Sequence, residues 1–205
     1  MSSIIPLYID IVSEDEPSGE IIKAILKLRQ NDFLVSGNHI MKGIGNIKKR
    51  AIPYNNAAAA GMPFFILADA DNLCPVKIIQ NWFKDNPIHE NLFFRVAVHE
   101  MESWILADSA NLAKALKISE AIIPPKPDEL ENPKETLFNL ARKSRKKEIR
   151  LGIPPKDNFA KIGPDYNSIL SNFIQNAWDI NSAMQNSPSL ARAVKRFMAW
   201  NPTER

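Results

Sequence analysis

Four times between residues 7 and 117 a short apolar run passes into apolar residues at helical spacing. Strand-then-helix alternation admits few architectures, because each strand must return to the same sheet through a right-handed crossover that lays a helix on one of its faces. Strands are expected at residues 7–12, 33–41 and 64–68 and in "NLFFRVAV". Helices are expected in "EIIKAILKLRQ" after the acidic turn "SEDEPSG", over residues 75–83, and through "HEMESWILADSANLAKALK" as one element. In "KGIGNIKKRAIPYNNAAAAGM" the glycines and Pro53 should break any long element and leave a short helix at the alanine run 57–60. The third strand, "FFILA", reads as buried on both faces and should stop at Ala68, since charge does not belong in such a strand. The expectation is an α/β fold, with a mainly parallel, Rossmann-like four-stranded sheet flanked by helices.

After residue 120 the texture changes. "IIPPKPDELENP" is a proline-rich connection, followed by helical patterns at 133–147, 166–178 and 189–200, with Asn132 and Ser187 as plausible N-caps. The expected organisation is an α/β domain over 1–120 and a helical, basic region over 121–205 packed on it. Residues 1–120 hold 12 Lys+Arg against 14 Asp+Glu, and residues 121–205 hold 14 against 9, which gives −2 and +5. An acidic part beside a basic part suits a chain that binds cations with one and a polyanion with the other.

With 45% hydrophobic and 24% charged residues the composition excludes disorder and a disulfide framework. No apolar run approaches a membrane span and no signal-peptide pattern opens the chain, so a cytoplasmic location without membrane attachment is expected. The single cysteine, Cys74, should start a helix with Pro75, and His39, His89 and His99 have no zinc-site spacing.

In a parallel sheet all carboxyl ends share one edge, which is where such sheets place ligands. Glu14, Asp15 and Glu16 follow the first strand, Asp69 and Asp71 the third, and Glu100 and Glu102 the fourth. Any one acidic loop can serve as a solvated helix cap. Three on one edge suit Mg²⁺ or Mn²⁺, hard cations that take carboxylate and water oxygens.

A glutamate after the first strand and an Asp-x-Asp after the third resemble the Toprim domain of topoisomerases, primases and the overcoming-lysogenization-defect nucleases. More closely, "IVSEDEPSGEIIKAIL", "FFILADADN" and "RVAVHEMESWILAD" followed by "NPKETL" are similar to a family of small bacterial Toprim-like proteins, over roughly residues 5 to 140. The resemblance implies a Toprim-like fold, Glu14 as the first-strand acid, Asp69 and Asp71 as metal ligands, and Glu100 as the additional acid of the nuclease-like branch. Asp15 stands where the usual motif has glycine, which leaves Glu14, Glu16 and Glu20 all open as the first-loop acid.

Carboxylate-held metals suit phosphodiester cleavage, in which Glu14 is a candidate general base or acid. "KGIGNIKKR" lacks a P-loop pattern, yet its glycines with Lys48, Lys49 and Arg50 suit phosphate contact; Arg145, Lys146 and Lys147 of the run 142–150 form a second basic candidate. His99 is a candidate acid or a hydrogen-bonded filler, and Arg192, Lys195 and Arg196 share a helical face. Glu100 and Glu102, two apart on a helix, should face different ways, with only Glu100 in the site. Trp82, Phe83, Trp104, Ile105 and Leu106 belong to the core. Two functions are carried forward: a metal-dependent nuclease of bacterial defence or repair, and a non-catalytic module that binds nucleic acid or a partner ATPase. A glycosidase-like carboxylate pair fits poorly with the basic carboxyl third.

Overall fold

The structure is a computed structural model that describes residues 5–70, 74–97, 100–157 and 159–203. Its first elements alternate strictly: β1 (Leu7–Ser13), α1 (Glu16–Leu26), β2 (Phe33–Ile40), α2 (Ile44–Ala59), β3 (Phe64–Asp69), α3 (Pro75–Phe83) and β4 (Leu92–Ala97). The four strands make one sheet in the order β2-β1-β3-β4, every pair parallel. The fold is α/β, Rossmann-like, with helices on both faces.

Alternation of side chains along the strands sorts the core into two layers. On one face Val12, Phe64, Ile66, Ala68 and Phe94 pack with Ile47, Ala51, Tyr54 and Ala58 of α2 and with Ile78, Trp82 and Phe83 of α3. The opposite face carries Ile9, Ile11, Phe65 and Phe93 and belongs to α1, through Ile21, Ile22 and Ile25, and to the end of the chain.

The remaining described helices are α4 (Glu102–Ala107), α5 (Ser109–Leu116), α6 (Pro133–Arg142), α7 (Lys147–Gly152), α8 (Tyr166–Asn176), α9 (Ile180–Asn186) and α10 (Pro188–Met198). The chain divides into two compact units, residues 1–97 with 192–205 and residues 98–191. This division differs from one at residue 120, because the last residues return to the sheet. Phe197 stacks among Phe33, Phe65 and Phe93, and Trp200 lies 5.1 Å from Phe93 between ring centroids. Polar bonds fix the return. The Arg29 guanidinium donates to the carbonyls of Phe197 and Trp200, while Asn91 accepts from the Thr203 N–H (2.8 Å) and donates to its carbonyl (2.9 Å).

Several expected boundaries are corrected. Residues 44–59 form one helix across Pro53, against the expected break. Pro53 sits on the exposed side, where water can serve the carbonyl that loses its donor. The apolar stripe of Ile47, Ala51, Tyr54 and Ala58 holds the helix to the sheet. β3 runs one residue past Ala68, ending on Asp69, whose row pairs with Ala97. The expected fourth helix is two, α4 and α5, broken at Asp108, whose carboxylate accepts from the Asp179 N–H (2.7 Å) and from the Asn111 side chain. The helix expected over 133–147 stops at Arg142, because Ser144 turns its hydroxyl to the Leu116 carbonyl and accepts from the Lys146 N–H. Ser187 caps α10 as expected, its hydroxyl accepting from the Leu190 N–H (3.2 Å).

Phe197 has no exposed surface and meets four other rings, so Phe197→Ala should destabilise the protein by about 3 to 5 kcal/mol. Urea unfolding followed by tryptophan fluorescence measures this; an unchanged midpoint would mean that the chain end does not hold the sheet.

Candidate functional site

β1 and β3 are neighbours, and their last paired row sets Val12 opposite Ile66. Glu14 lies two residues past that row and Asp69 three, on strands that run about 4.8 Å apart. One carboxylate-bearing residue thus follows β1 and the other ends its neighbour β3, at one edge of the first unit. Asp69 is almost fully buried and Glu14 is partly exposed.

The β2–α2 turn is tied to the same place. The Met41 N–H donates to the Ser13 carbonyl (2.9 Å) and the Lys42 N–H to the Glu14 carbonyl (2.8 Å), while positive φ at Lys42 (54°) and Gly43 (124°) swings the chain into α2. Lys48, Lys49 and Arg50, in the first turns of α2, are all exposed. So a cationic helix start and the end of β1 share one edge.

The other acids of the first loop have local partners. Asp15 caps α1, its Oδ1 accepting from the N–H (3.0 Å) and hydroxyl (2.6 Å) of Ser18. Glu20 pairs with Lys23 at 2.7 Å, and Glu16 is exposed in the first helical turn. Asp71 and His99 lie outside the described residues.

Glu100 and Glu102 belong to the second unit. There they converge on one residue, against the expectation that they would face apart. The backbone N–H of Lys134, in the first turn of α6, donates to Glu100 Oε2 (2.8 Å), and the Lys134 ammonium lies 3.2 Å from Glu102 Oε1 and 3.9 Å from Glu100 Oε1. Glu100 precedes α4 rather than lying on it, which frees both side chains to meet the same lysine. Glu102 has no exposed surface; its Oε1 also accepts from the Tyr166 hydroxyl, and its buried Oε2 has no hydrogen-bond partner. Burial pushes the Glu102 carboxyl upward, and the Glu100 charge adds to this against the Lys134 ammonium and the Tyr166 hydroxyl.

The basic run lies in the second unit. Arg145 and Lys147 are exposed, Lys146 is partly so, and none of the three makes an ion pair with a described residue; Arg142 pairs with Glu135 at 3.0 Å. Sequence reasoning passed over one cation of the first unit. Arg95, in β4, lays its guanidinium 4.0 Å from the Phe93 ring centroid, and burial together with the nearby charge of Arg196 pushes it down to about 10. An arginine inside "FFRVAV" was the available signal, since charge within a buried strand needs a reason.

Glu14 and Asp69 are hard oxygen donors of the kind that Mg²⁺ and Mn²⁺ take. Among the described residues, no group of three or more His, Cys, Asp or Glu side chains is placed to hold one ion. No protein-family model, curated protein or solved structure matches this chain significantly. The Toprim resemblance thus rests on the motif residues themselves. Among the described residues, no helix is long and apolar enough to cross a membrane.

The glutamate pair generates a prediction about stability. Glu102→Ala removes a fully buried acceptor that the Lys134 ammonium and the Tyr166 hydroxyl share and should cost about 1 to 3 kcal/mol. Glu102→Gln keeps an acceptor for Tyr166 and should cost less. Because the folded state holds the Glu102 proton to higher pH than the unfolded chain does, ionising it weakens the wild type as pH rises above the ordinary glutamate range. The wild-type advantage over Glu102→Gln should shrink with rising pH in thermal melts; an advantage that grows would reverse the sign of the assigned shift.

Proposed function

We propose that the carboxyl edge of the sheet performs metal-dependent, nuclease-like phosphodiester chemistry on nucleic acid, in a bacterial defence or repair setting. The observation that carries this reading is the position of Glu14 just past the end of β1 and of Asp69 at the end of the neighbouring parallel strand β3. Asp71 is the third residue proposed to hold Mg²⁺ or Mn²⁺, which when bound would stabilise charge on a phosphoryl oxygen and acidify a water. The cations Lys48, Lys49 and Arg50 lie in the first turns of α2 and suit the backbone of the nucleic acid, with Glu14 as the general base or acid. Glu100, by contrast, caps α6 and shares Lys134 with Glu102. That engagement favours the second reading, a non-catalytic module that binds nucleic acid or a partner ATPase.

Two measurements separate these readings. Calorimetric titration with Mn²⁺ should show binding to the wild type that Asp69→Asn abolishes, and Mn²⁺- or Mg²⁺-dependent nicking of DNA or RNA should disappear on chelation and fall by at least about a hundredfold in Glu14→Gln. Equal metal binding by wild type and Asp69→Asn would leave the module in front. Nucleic-acid affinity should fall with salt at a log–log slope of about −4.5 if about five duplex phosphates are neutralised, and charge reversal at Arg145, Lys146 and Lys147 should flatten it. An unaltered slope would make that run a solvated surface.

A further inference from the structure

The centre of β1 carries a charge that the carboxyl edge does not use. Asp10 sits in the middle of β1, one of the sheet's two inner strands, between the buried Ile9 and Ile11. Its carboxylate is fully engaged by β2: Oδ1 accepts from the Ser36 hydroxyl (2.6 Å) and Oδ2 lies 2.9 Å from His39 Nε2. The backbone is shaped around it. The β1–β2 register slips between Ile9 and Asp10, so that Asp10 pairs with Gly37, where a Cβ would stand 2.7 Å from Asp10 Oδ1. Burial works against the Asp10 charge, but Ser36, His39 and the Gly37 N–H outweigh it and hold the carboxyl below its usual range.

The result is an imidazole anchored at Nε2, with its Nδ1 bonded to no described residue. The ring lines a cleft of about 490 Å³ whose other walls are Ile40, Met41, Asn46, Lys49 and Arg50. Asn46 is spent on the fold, its side-chain amide donating to the carbonyls of Met41 (2.8 Å) and Lys42 (3.4 Å). Lys49 and Arg50 make no ion pair with a described residue, so two permanent cations and a tethered imidazole face the cleft, whose described lining carries no carboxylate.

We infer that this cleft takes a phosphate monoester group, with Lys49 and Arg50 contacting its oxygens, His39 as the imidazolium donating through Nδ1 while its Nε2–H is held by Asp10, and Asp10 as the positioning residue that fixes the ring. Two cations and a further donor match a dianionic terminal phosphate better than the single charge of an internal phosphodiester. A cleft of this size holds the phosphate with its attached sugar. As a source of that group, the end of a nucleic-acid strand rests on the proposed function; the phosphate pocket itself does not.

The test uses the full-length chain in EDTA, so that the metal edge is silent. Fluorescence anisotropy compares one single-stranded oligonucleotide carrying a 5′-phosphate, a 3′-phosphate or neither, and inorganic phosphate is titrated while the His39 imidazole nitrogens are followed by ¹⁵N NMR. One phosphorylated form should bind at least about tenfold more tightly than the unphosphorylated one, as expected for hydrogen bonds to charged groups. Lys49→Gln with Arg50→Gln should erase that preference. Asp10→Asn and Gly37→Ala should reduce it and alter the His39 imidazole signals, a change that general destabilisation would not produce in a chain still folded by circular dichroism. Equal binding of all three oligonucleotides, or a preference that survives the double substitution, overturns the inference. If no oligonucleotide binds, a saturable phosphate shift at His39 keeps the pocket and sinks the nucleic-acid reading, and no shift sinks the pocket.

Discussion

The parallel pairing of β1 with both β2 and β3 is the constraint from which the rest of the first unit follows. A strand hydrogen-bonded on both sides has no edge to expose, so its side chains must meet helices above and below, and its carboxyl end must meet the ends of its neighbours. Glu14 reaches Asp69's edge for this reason, and the Lys42 N–H can bond to the Glu14 carbonyl because Ser13 lies in register with Ile40. The same pairing explains how Asp10 can be tolerated. A carboxylate in an inner strand needs partners from the strand beside it, and the register slip at Gly37 brings Ser36 and His39 to it.

Much of this was legible in the chain. "FFILA" announces a doubly buried strand because it has no alternation, and Pro75 opens its helix where a missing N–H costs nothing. The three-dimensional surprises come where tertiary packing outweighs local propensity. Pro53 should end a helix, yet four buried residues on one stripe of α2 hold it against the sheet. Asp108 looks like one more helical residue, but a bond from the distant Asp179 N–H selects a break there. No local pattern encodes a partner seventy-one positions away.

The site was legible to a different degree. Spacing sufficed to put acids at strand ends, because topology alone fixes where strands finish. Spacing was no guide to Glu100 and Glu102, whose directions depend on where α4 begins and on a lysine from "NPKETL". Asp10 and His39 were visible only as a charge inside an apolar strand and an isolated histidine, and neither pattern names its partner without the β1–β2 register.

The return of residues 192–205 to the first unit has a consequence for how the protein is made. Residues 98–191 are, in chain terms, an insertion within a sheet domain whose last ring contacts come from Phe197 and Trp200. During synthesis the part of the sheet face at Phe65 and Phe93 that Phe197 and Trp200 cover stays bare until those two residues have left the ribosome, whereas the inserted helical unit has all its residues available earlier. The second unit can therefore mature while the first waits, with aromatic surface exposed in the interval. A sheet closed by contacts this far apart in sequence folds slowly, and it is the part of the protein most dependent on protection from aggregation during that wait.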